Sequence, residues 1–376
     1  MSVINKIIGI IGGGQLGKMM ILEAKRLGFY VITLDPEANC PSSSVSDELI
    51  VARLDDVAAF RELASKADVI TYEWELVGIE ALRTLEKEGS VIYPSVKSLA
   101  VIQDKFTQKQ ALQQAGIPVP DFKKIDNINE ITTGMLKTTM GGYDGKGTAL
   151  IKTEADIKTA YDSLGGGKKP LMLEEFVDFD IEISVIACRG ISGETVIYPI
   201  AENYHTNSIL DTTIVPARIT DDITVKAIAI AEKVMEVFDG VGTFCVEMFV
   251  TRSGEVSVNE IAPRPHNSGH YTIEGCFANQ FENHIRAIVN LPLGNVDLKQ
   301  PTVMVNLLGQ SDGSAELVGI EQAYEENPNI RIHLYGKGES KKGRKMGHFT
   351  VVDDNLKDAI AKAQRAKSLI KVIGKA

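Results

Sequence analysis

Residues 242–262, GTFCVEMFVTRSGEVSVNEIA, carry the decision about the fold. TFCVEMFV and EVSVNEIA have the alternation of two paired strands, and RSGE between them reads as the turn of a hairpin. With that turn Thr251 faces Val256, and the same register sets Glu247 opposite Glu260, Cβ atoms about 5 Å apart on one face. Like charges so placed destabilise a sheet unless a cation lies between them, and a hard oxygen set points to Mg²⁺. Asn259 offers a further oxygen. A slip of one residue would instead send the two acids to opposite faces.

Outward from the hairpin, APRPHNSGH follows directly and carries Arg264, His266 and Asn267 away from the second acid. So many hydrogen-bonding groups beside a metal strand suit a substrate pocket, although His266 also fits a satisfied structural histidine. Upstream, LKTTMGGYDGKGTALI places Lys137 on a strand before a glycine loop. Such a loop folds over polyphosphate with its backbone N–H groups while the lysine supplies a point charge; a flexible hairpin tip is the plain alternative. Its spacing is not that of a Walker loop. The segment Glu174, Glu175, Phe176, Val177 offers a strand-to-strand connection able to read an adenine edge, and Glu182 a carboxylate for ribose hydroxyls, or simply a solvated acidic face.

At the start of the chain, GIIGGGQLGKMM (residues 9–20) with Asp35 closing YVITLD has the spacing of a dinucleotide fingerprint. Physically it says only that an anion can approach a helix N-terminus, so a dinucleotide, another phosphate-bearing ligand and plain packing all stay open. KIIGIIG, YVITLD, ELIVA, DVITYE and SVIYPS read as strands alternating with the helices QLGKMMILEAKRLG and VAAFRELASKA, which implies a doubly wound parallel sheet. One long helix is expected over KSLAVIQDKFTQKQALQQAG and an amphipathic one over 221–239, and the chain is expected to end in a helix. Near that end Lys337, Lys341, Lys342, Arg344 and Lys345 crowd a glycine-containing loop, shaped for an anion or merely solvated.

The 376 residues suggest several domains, and 44% hydrophobic with 24% charged residues is an ordinary globular balance. A net charge of −10 argues against nucleic-acid binding. No apolar run reaches the roughly 18 residues that span a bilayer, and no signal peptide is expected. Cys40, Cys188, Cys245 and Cys276 are scattered without a C-x-x-C pair, which fits reduced, buried thiols and a cytoplasmic location.

In order along the chain, Lys105, Lys137 with its loop, the EEFV segment and the acids Glu247 and Glu260 resemble the ATP-grasp superfamily. More closely, GGGQLG, QDKFTQKQ, GGYDGKG, NEIAPRPHNSGH and GRKMGH resemble the N5-carboxyaminoimidazole ribonucleotide synthetases of purine biosynthesis, over essentially the whole chain. The resemblance implies an ATP-grasp fold of mixed α/β and α+β class. Its parts are a doubly wound parallel-sheet domain (1–98), a mobile lid subdomain with a connecting helix (99–177), a body with the Mg-ATP site (178–298) and a small β-rich C-terminal domain (299–376). It also implies ATP- and bicarbonate-dependent carboxylation of 5-aminoimidazole ribonucleotide through carboxyphosphate, releasing ADP and phosphate. A homodimer is implied, with its product passed to a mutase.

By the same resemblance Glu247 and Glu260 hold Mg²⁺. ATP meets Lys105, Lys137, Gly142, Tyr143, Asp144, Gly145, Lys146, Gly147, Glu174, Glu175, Phe176, Val177, Glu182, His205, Asn259 and Glu260. The ribonucleotide meets Gln15, Leu16, Glu73, Lys337 and Arg344, so the opening loop holds no NAD. Tyr143, Asp144, Lys146, Arg264, His266 and Asn267 approach the reacting groups, with Asp144 or His266 a candidate proton acceptor. Lys146 stands where some relatives carry arginine, a point charge in place of a planar fork. Competing classes are an ATP-grasp enzyme that activates formate, an NAD-dependent oxidoreductase that leaves the acid pair unexplained, and a nucleotide-binding regulator without turnover.

Overall fold

The structure, a computed structural model, describes residues 5–142 and 145–375; the expected site residues Tyr143 and Asp144 lie outside the described residues. The chain begins with β1 (Ile7–Ile11), α1 (Gln15–Arg26), β2 (Tyr30–Asp35), β3 (Glu48–Val51), α2 (Val57–Lys66), β4 (Val69–Tyr72) and α3 (Ile79–Lys87). Its four strands pair in parallel in the order β3-β2-β1-β4. Such strands are covered on both faces, which is why they read as unbroken apolar runs. On one face Ile11, Ile32 and Leu34 pack with Phe60, Leu63, Leu82 and Leu85 of α2 and α3. On the other, Ile8, Ile10 and Val31 meet Met19 and Met20 of α1.

Two expectations fail here. SVIYPS is no strand: Ile92 makes a single bridge to Ile70, and the chain turns away where Pro94 has no N–H to give and Ser95 caps the next helix. The expected long helix is two, α4 (Val96–Ile102) and α5 (Lys105–Gln114). Asp104 breaks it because its carboxylate caps α5, accepting from the Thr107 N–H at 2.8 Å.

The lid follows: β5 (Phe122–Ile125), β6 (Gly134–Thr138), β7 (Thr148–Ile151), α6 (Ile157–Ser163) and β8 (Leu171–Glu174), with sheet order β5-β8-β6-β7 and α6 packed over it. Next come β9 (Phe179–Arg189), β10 (Thr195–Ile197), β11 (Ala201–Thr206), β12 (Ile209–Val215), α7 (Asp221–Val237), β13 (Gly242–Thr251), β14 (Val256–Ala262), α8 (Thr272–Gly275) and α9 (Gln280–Val289). The C-terminal part contains β15 (Thr302–Leu308), β16 (Gly313–Val318), α10 (Ile320–Glu326), β17 (Arg331–Leu334), β18 (Glu339–Ser340), β19 (Lys345–Val352), α11 (Leu356–Leu369) and β20 (Lys371–Lys375). The described chain therefore finishes on a strand paired with β16 rather than on the expected helix.

Body and C-terminal part share one sheet, β14-β13-β9-β11-β12-β15-β19-β17, with β10 on β9 and the join made by β12 and β15. Helix α7 covers one face of its first half, burying Ala227, Ile230 and Val234 on Val185, Val246 and Met248; Leu112 of α5 joins this core. Helix α9 lies against α1, with Phe281 and Ile285 in the second core of the N-terminal sheet. The N-terminal domain is thereby packed onto the strands that carry the acids.

The hairpin pairs Glu247 with Glu260, but by a different route from the simple register. The loop is tighter: Thr251 N–H donates to the Glu255 carbonyl at 3.0 Å around Gly254, whose φ of +78° suits glycine. Val250 then pairs with Val256 and Met248 with Val258, and a bulge at Asn259 restores the acid pair. The bulge settles the faces. Val256, Val258 and Ile261 are buried against α7, while Asn259 and Glu260 both turn to the face of Glu247.

Candidate active site

The face of the sheet away from α7 carries Glu247, Glu260 and Asn259, with Glu182 on β9 and His205 on β11 beside them. His205 Nδ1 lies 3.2 Å from Glu182 Oε2. Burial pulls the His205 ring down, but Glu182 outweighs it and holds the histidine above its usual range. Burial and then the Glu182 charge push the Glu247 carboxyl up to about 7, with Glu260 adding to the rise. Glu260 is matched to Lys105 Nζ at 2.5 Å. Two facing carboxylates with an amide oxygen beside them make an all-oxygen donor set that fits a hard divalent cation.

Across this face stands the lid. Lys137 on β6 and Lys109 on α5 both pair with the Glu174 carboxylate, which is only 3% exposed. Burial raises the Glu174 carboxyl and the two ammonium groups outweigh it, Lys137 foremost, so it is held below its usual range. Burial brings Lys109 down to about 8 against the pull of Glu174. The Glu174 side chain is thus fixed within the fold, while Glu175 and Phe176 stay exposed. A cavity of about 780 Å³ opens at this end of the lid sheet between Phe122, Gly134, Leu150, Leu173 and residues 174–176. Nearby, Phe179 stacks on Phe249 with ring centroids 4.6 Å apart. Gly142, Gly145, Lys146 and Gly147 follow β6 in the loop, with Gly145 and Gly147 at positive φ.

The opening glycine turn has its N–H groups occupied from within. Glu73, just after β4, accepts from Gly14 N–H at 2.5 Å and Gly17 N–H at 2.6 Å, and Asp35 accepts from Gly13 N–H at 2.7 Å. A protein carboxylate therefore takes the seat at the start of α1 that a pyrophosphate would need. The glycines permit that approach: a Cβ on Gly14 would lie 2.3 Å from Glu73 Oε1. Burial raises the Glu73 carboxyl although the two N–H groups pull against it. Gln15 stands at the first turn of α1, but the Leu16 side chain is packed in the core, 8% exposed, so only its main chain is left for a ligand. Lys18 Nζ, 3.5 Å from the Tyr335 carbonyl, brings the basic loop against α1. There Lys337 Nζ donates to the Lys345 carbonyl at 2.9 Å and Arg344 Nη1 to the Glu339 carbonyl at 3.0 Å.

Between these two regions lies the turn after β14. Arg264 makes a two-pronged ion pair with Glu75, with Nη2 3.0 Å from Oε1. Burial raises the Glu75 carboxyl, and the guanidinium more than reverses it. His266 Nε2 is 3.8 Å from Glu247 Oε1, and burial keeps this ring well below the usual imidazole range, hence neutral. Asn267 does not present its amide to the site. It exchanges hydrogen bonds with Asn306 at 3.0 and 2.5 Å and is 7% exposed, because a buried amide needs such a partner.

The sequence reading missed Lys109, Glu75 and Lys18. QDKFTQKQ does place Lys109 one helical turn beyond Lys105, on the same face, which was a usable signal. No local signal pairs Glu75 with Arg264, since 189 positions separate them.

Residues 110–281 match the ATP-grasp domain model, so the lid with Lys137 and the acid hairpin belong to that class of nucleotide-using enzymes. Residues 5–103 match the ribonucleotide synthetase preATP-grasp domain, and 302–362 the phosphoribosylaminoimidazole carboxylase C-terminal domain. An N5-carboxyaminoimidazole ribonucleotide synthase of Bacillus subtilis is 44% identical over 352 residues, covering 92% of this chain and 90% of that one. The Thermotoga maritima synthetase has 46% identity and a TM-score of 0.91, covering 98% of this chain and all of the other. The Aspergillus clavatus synthase in complex with ADP and 5-aminoimidazole ribonucleotide has 34% identity and a TM-score of 0.89, covering 98% and 99%. The chain belongs to the N5-carboxyaminoimidazole ribonucleotide synthase family.

Two predictions follow from the geometry. The Glu247 carboxyl is raised from 4.5 to about 7 by folding, so its contribution to stability is whole below the unfolded value and is lost as pH climbs through 7. At about 1.4 kcal/mol per unit the loss approaches about 3 kcal/mol. In metal-free protein, Glu247→Gln therefore unfolds at a higher temperature than the parent at pH 8, and the gap closes toward pH 5. Glu75→Ala strands the Arg264 charge and costs about 3–5 kcal/mol in denaturant unfolding, most of it recovered when Arg264→Met is added.

Proposed function

We propose that the protein joins bicarbonate to the exocyclic amine of 5-aminoimidazole ribonucleotide with cleavage of ATP to ADP and phosphate. The observation that carries the reading is the run from Glu260 to His266. Two paired strands hold the acids for a nucleotide-bound cation, and the continuation of the second carries Arg264 to Glu75 of the N-terminal domain with His266 two residues on. The Aspergillus clavatus relative, which has ADP and 5-aminoimidazole ribonucleotide bound, supports placing both ligands on this framework.

Bicarbonate is a poor electrophile because hydroxide would have to leave. Transfer of the γ-phosphoryl group converts that leaving group into phosphate. In this reading Lys137 and Lys105 steer the ATP phosphates, residues 174–177 read the adenine edge, and Glu182 takes the ribose hydroxyls. The glycine loop shuts out water, which would waste carboxyphosphate. Glu247 and Glu260, with Asn259 beside them, would hold Mg²⁺, which supplies positive charge at the phosphoryl oxygens. Arg264 and His266 face the bicarbonate. Gln15, Glu73, Lys337 and Arg344 take the ribonucleotide, whose phosphate falls to the basic loop because Glu73 already fills the helix terminus. We place the enzyme in the cytoplasm as a homodimer, with a mutase consuming the carbamate. The four buried, free cysteines suit that compartment, and no helix among the described residues is long and apolar enough to cross a membrane.

Phosphate release measured with each component omitted tests the reaction. Turnover should need ATP, bicarbonate and the ribonucleotide together, and turnover with formate in place of bicarbonate would overturn the assignment. Arg344→Ala should raise KM for the ribonucleotide roughly ten- to hundredfold with KM for ATP little changed, about the size of one charge-assisted hydrogen bond. Arg344→Lys should recover only part, since a point charge cannot reproduce the fork.

A further inference from the structure

A line of buried polar side chains runs from the middle of the large sheet to His266, and the reaction described above makes no use of it. Thr213 on β12 donates to Asn203 Oδ1 at 2.9 Å, Asn203 Nδ2 on β11 donates to Ser184 Oγ at 2.9 Å, and Ser184 on β9 donates to Ser268 Oγ at 2.8 Å. Ser268 Oγ lies 2.9 Å from His266 Nδ1. Thr213, Ser184 and Ser268 are fully buried and Asn203 is 5% exposed. Such groups are kept inside a core only when their hydrogen bonds are complete, and each hydroxyl has one proton to give.

The direction of the line is fixed at its end. Residues Asn267–Gly269 form a short 3-10 turn capped by His266, and the Ser268 backbone N–H points at Nδ1 from 3.3 Å. A backbone N–H can only donate, so Nδ1 presents a lone pair. The Ser268 hydroxyl, already accepting from Ser184, donates to the same nitrogen. A neutral imidazole has one N–H, and it is left on Nε2, the nitrogen 3.8 Å from Glu247 Oε1.

We infer that Ser268, backed by Ser184 and Asn203, holds His266 as its Nε2–H tautomer, so that His266 serves the carboxylation site as a hydrogen-bond donor to an oxyanion and not as the acceptor of the amine proton. The inference rests on the function proposed above for its chemical meaning, but not for the tautomer itself. Ser268 and Ser184 are then positioning residues. The same arrangement bears on the grouping of Cys245, Glu247 and His266, whose donor atoms lie within 4.8 Å of one another. With Nδ1 accepting and Nε2 protonated, the ring offers no lone pair to a metal, and a cation is left to the carboxylates.

Long-range ¹H–¹⁵N correlation spectra of protein labelled in its six histidines, with His266→Asn to assign the signal, read the tautomer without turnover. The expected result is a protonated Nε2 and a bare Nδ1. Ser268→Ala should move the spectrum toward a mixture of tautomers and lower kcat about tenfold, in the range for removing a histidine's outer hydrogen-bond partner. KM for ATP should hold, and Ser268→Thr should restore both spectrum and rate. A proton on Nδ1 in the unaltered protein overturns the inference, and a Ser268→Ala spectrum identical to the parent's would assign the tautomer to the retained backbone N–H and overturn the part given to the hydroxyl line. An unchanged Nε2–H signal in a protein that fails to carboxylate the ribonucleotide would leave the tautomer standing and sink the proposed reaction instead.

Discussion

Two carboxylates facing each other across adjoining strands repel, and much of this molecule is arranged so that the repulsion persists in the folded state. Glu247 and Glu260 could relieve it by turning to opposite faces, which a slip of one residue would achieve. The bulge at Asn259 and the burial of Val256, Val258 and Ile261 under α7 forbid the slip, because moving the acids would drag three apolar side chains into water. At about 1.5–3 kcal/mol for each such side chain, the apolar term exceeds what is gained by separating one like-charge pair. The repulsion shows in part in the Glu247 carboxyl, which burial and then Glu182 raise and Glu260 raises further, and in the Lys105–Glu260 pair. A carboxylate pair held together in this way suits the divalent cation proposed above.

The N-terminal turn shows the opposite solution. Its N–H groups and the start of α1 would attract any anion, and the fold supplies one of its own in Glu73. A loop with dinucleotide spacing is thereby withdrawn from dinucleotide chemistry without loss of its geometry. What remains is a rigid corner on which Glu73 and Glu75, two positions apart, hold the glycine turn and Arg264 respectively. This corner ties the first sheet to the turn that follows β14.

Much of this was legible in the residues, and the parts that were not share a cause. Glu247 and Glu260 could be paired because alternation and a turn are local, yet the bulge that makes the pairing compatible with the core could not be read, since it depends on α7. The break at Asp104 was missed because apolar periodicity continues through it while one carboxylate caps the next helix. The final strand, KVIGK, is too short to announce itself apart from its partner β16. Among site residues, Arg264 and His266 stood out by composition. Glu75 and Ser184 act through contacts 189 and 84 positions away, and Asn267 looked like a ligand although Asn306 occupies its amide. Chemistry-bearing residue types are visible in sequence; whether a polar group is spent inside the fold is settled by tertiary neighbours.

The shared sheet explains how two distant motifs serve one site. NEIAPRPHNSGH leaves β14 and GRKMGH enters β19, near opposite ends of the sheet order, yet their last histidines, His270 and His348, pack with ring centroids 4.5 Å apart and planes tilted by 34°. His348 stacks in turn on His333 of β17, and Asn267 is held by Asn306 of β15, the strand beside β19. The turn bearing His266 and the loop bearing Arg344 are therefore braced on one set of strands, while Lys137 and the glycine loop stand on the separate lid sheet. The spacing between the basic loop and the His266 turn is therefore set within one sheet, independently of the four strands that carry Lys137. Chemistry that must pass a short-lived carboxyl group to an amine needs that distance held constant, and the continuous sheet holds it.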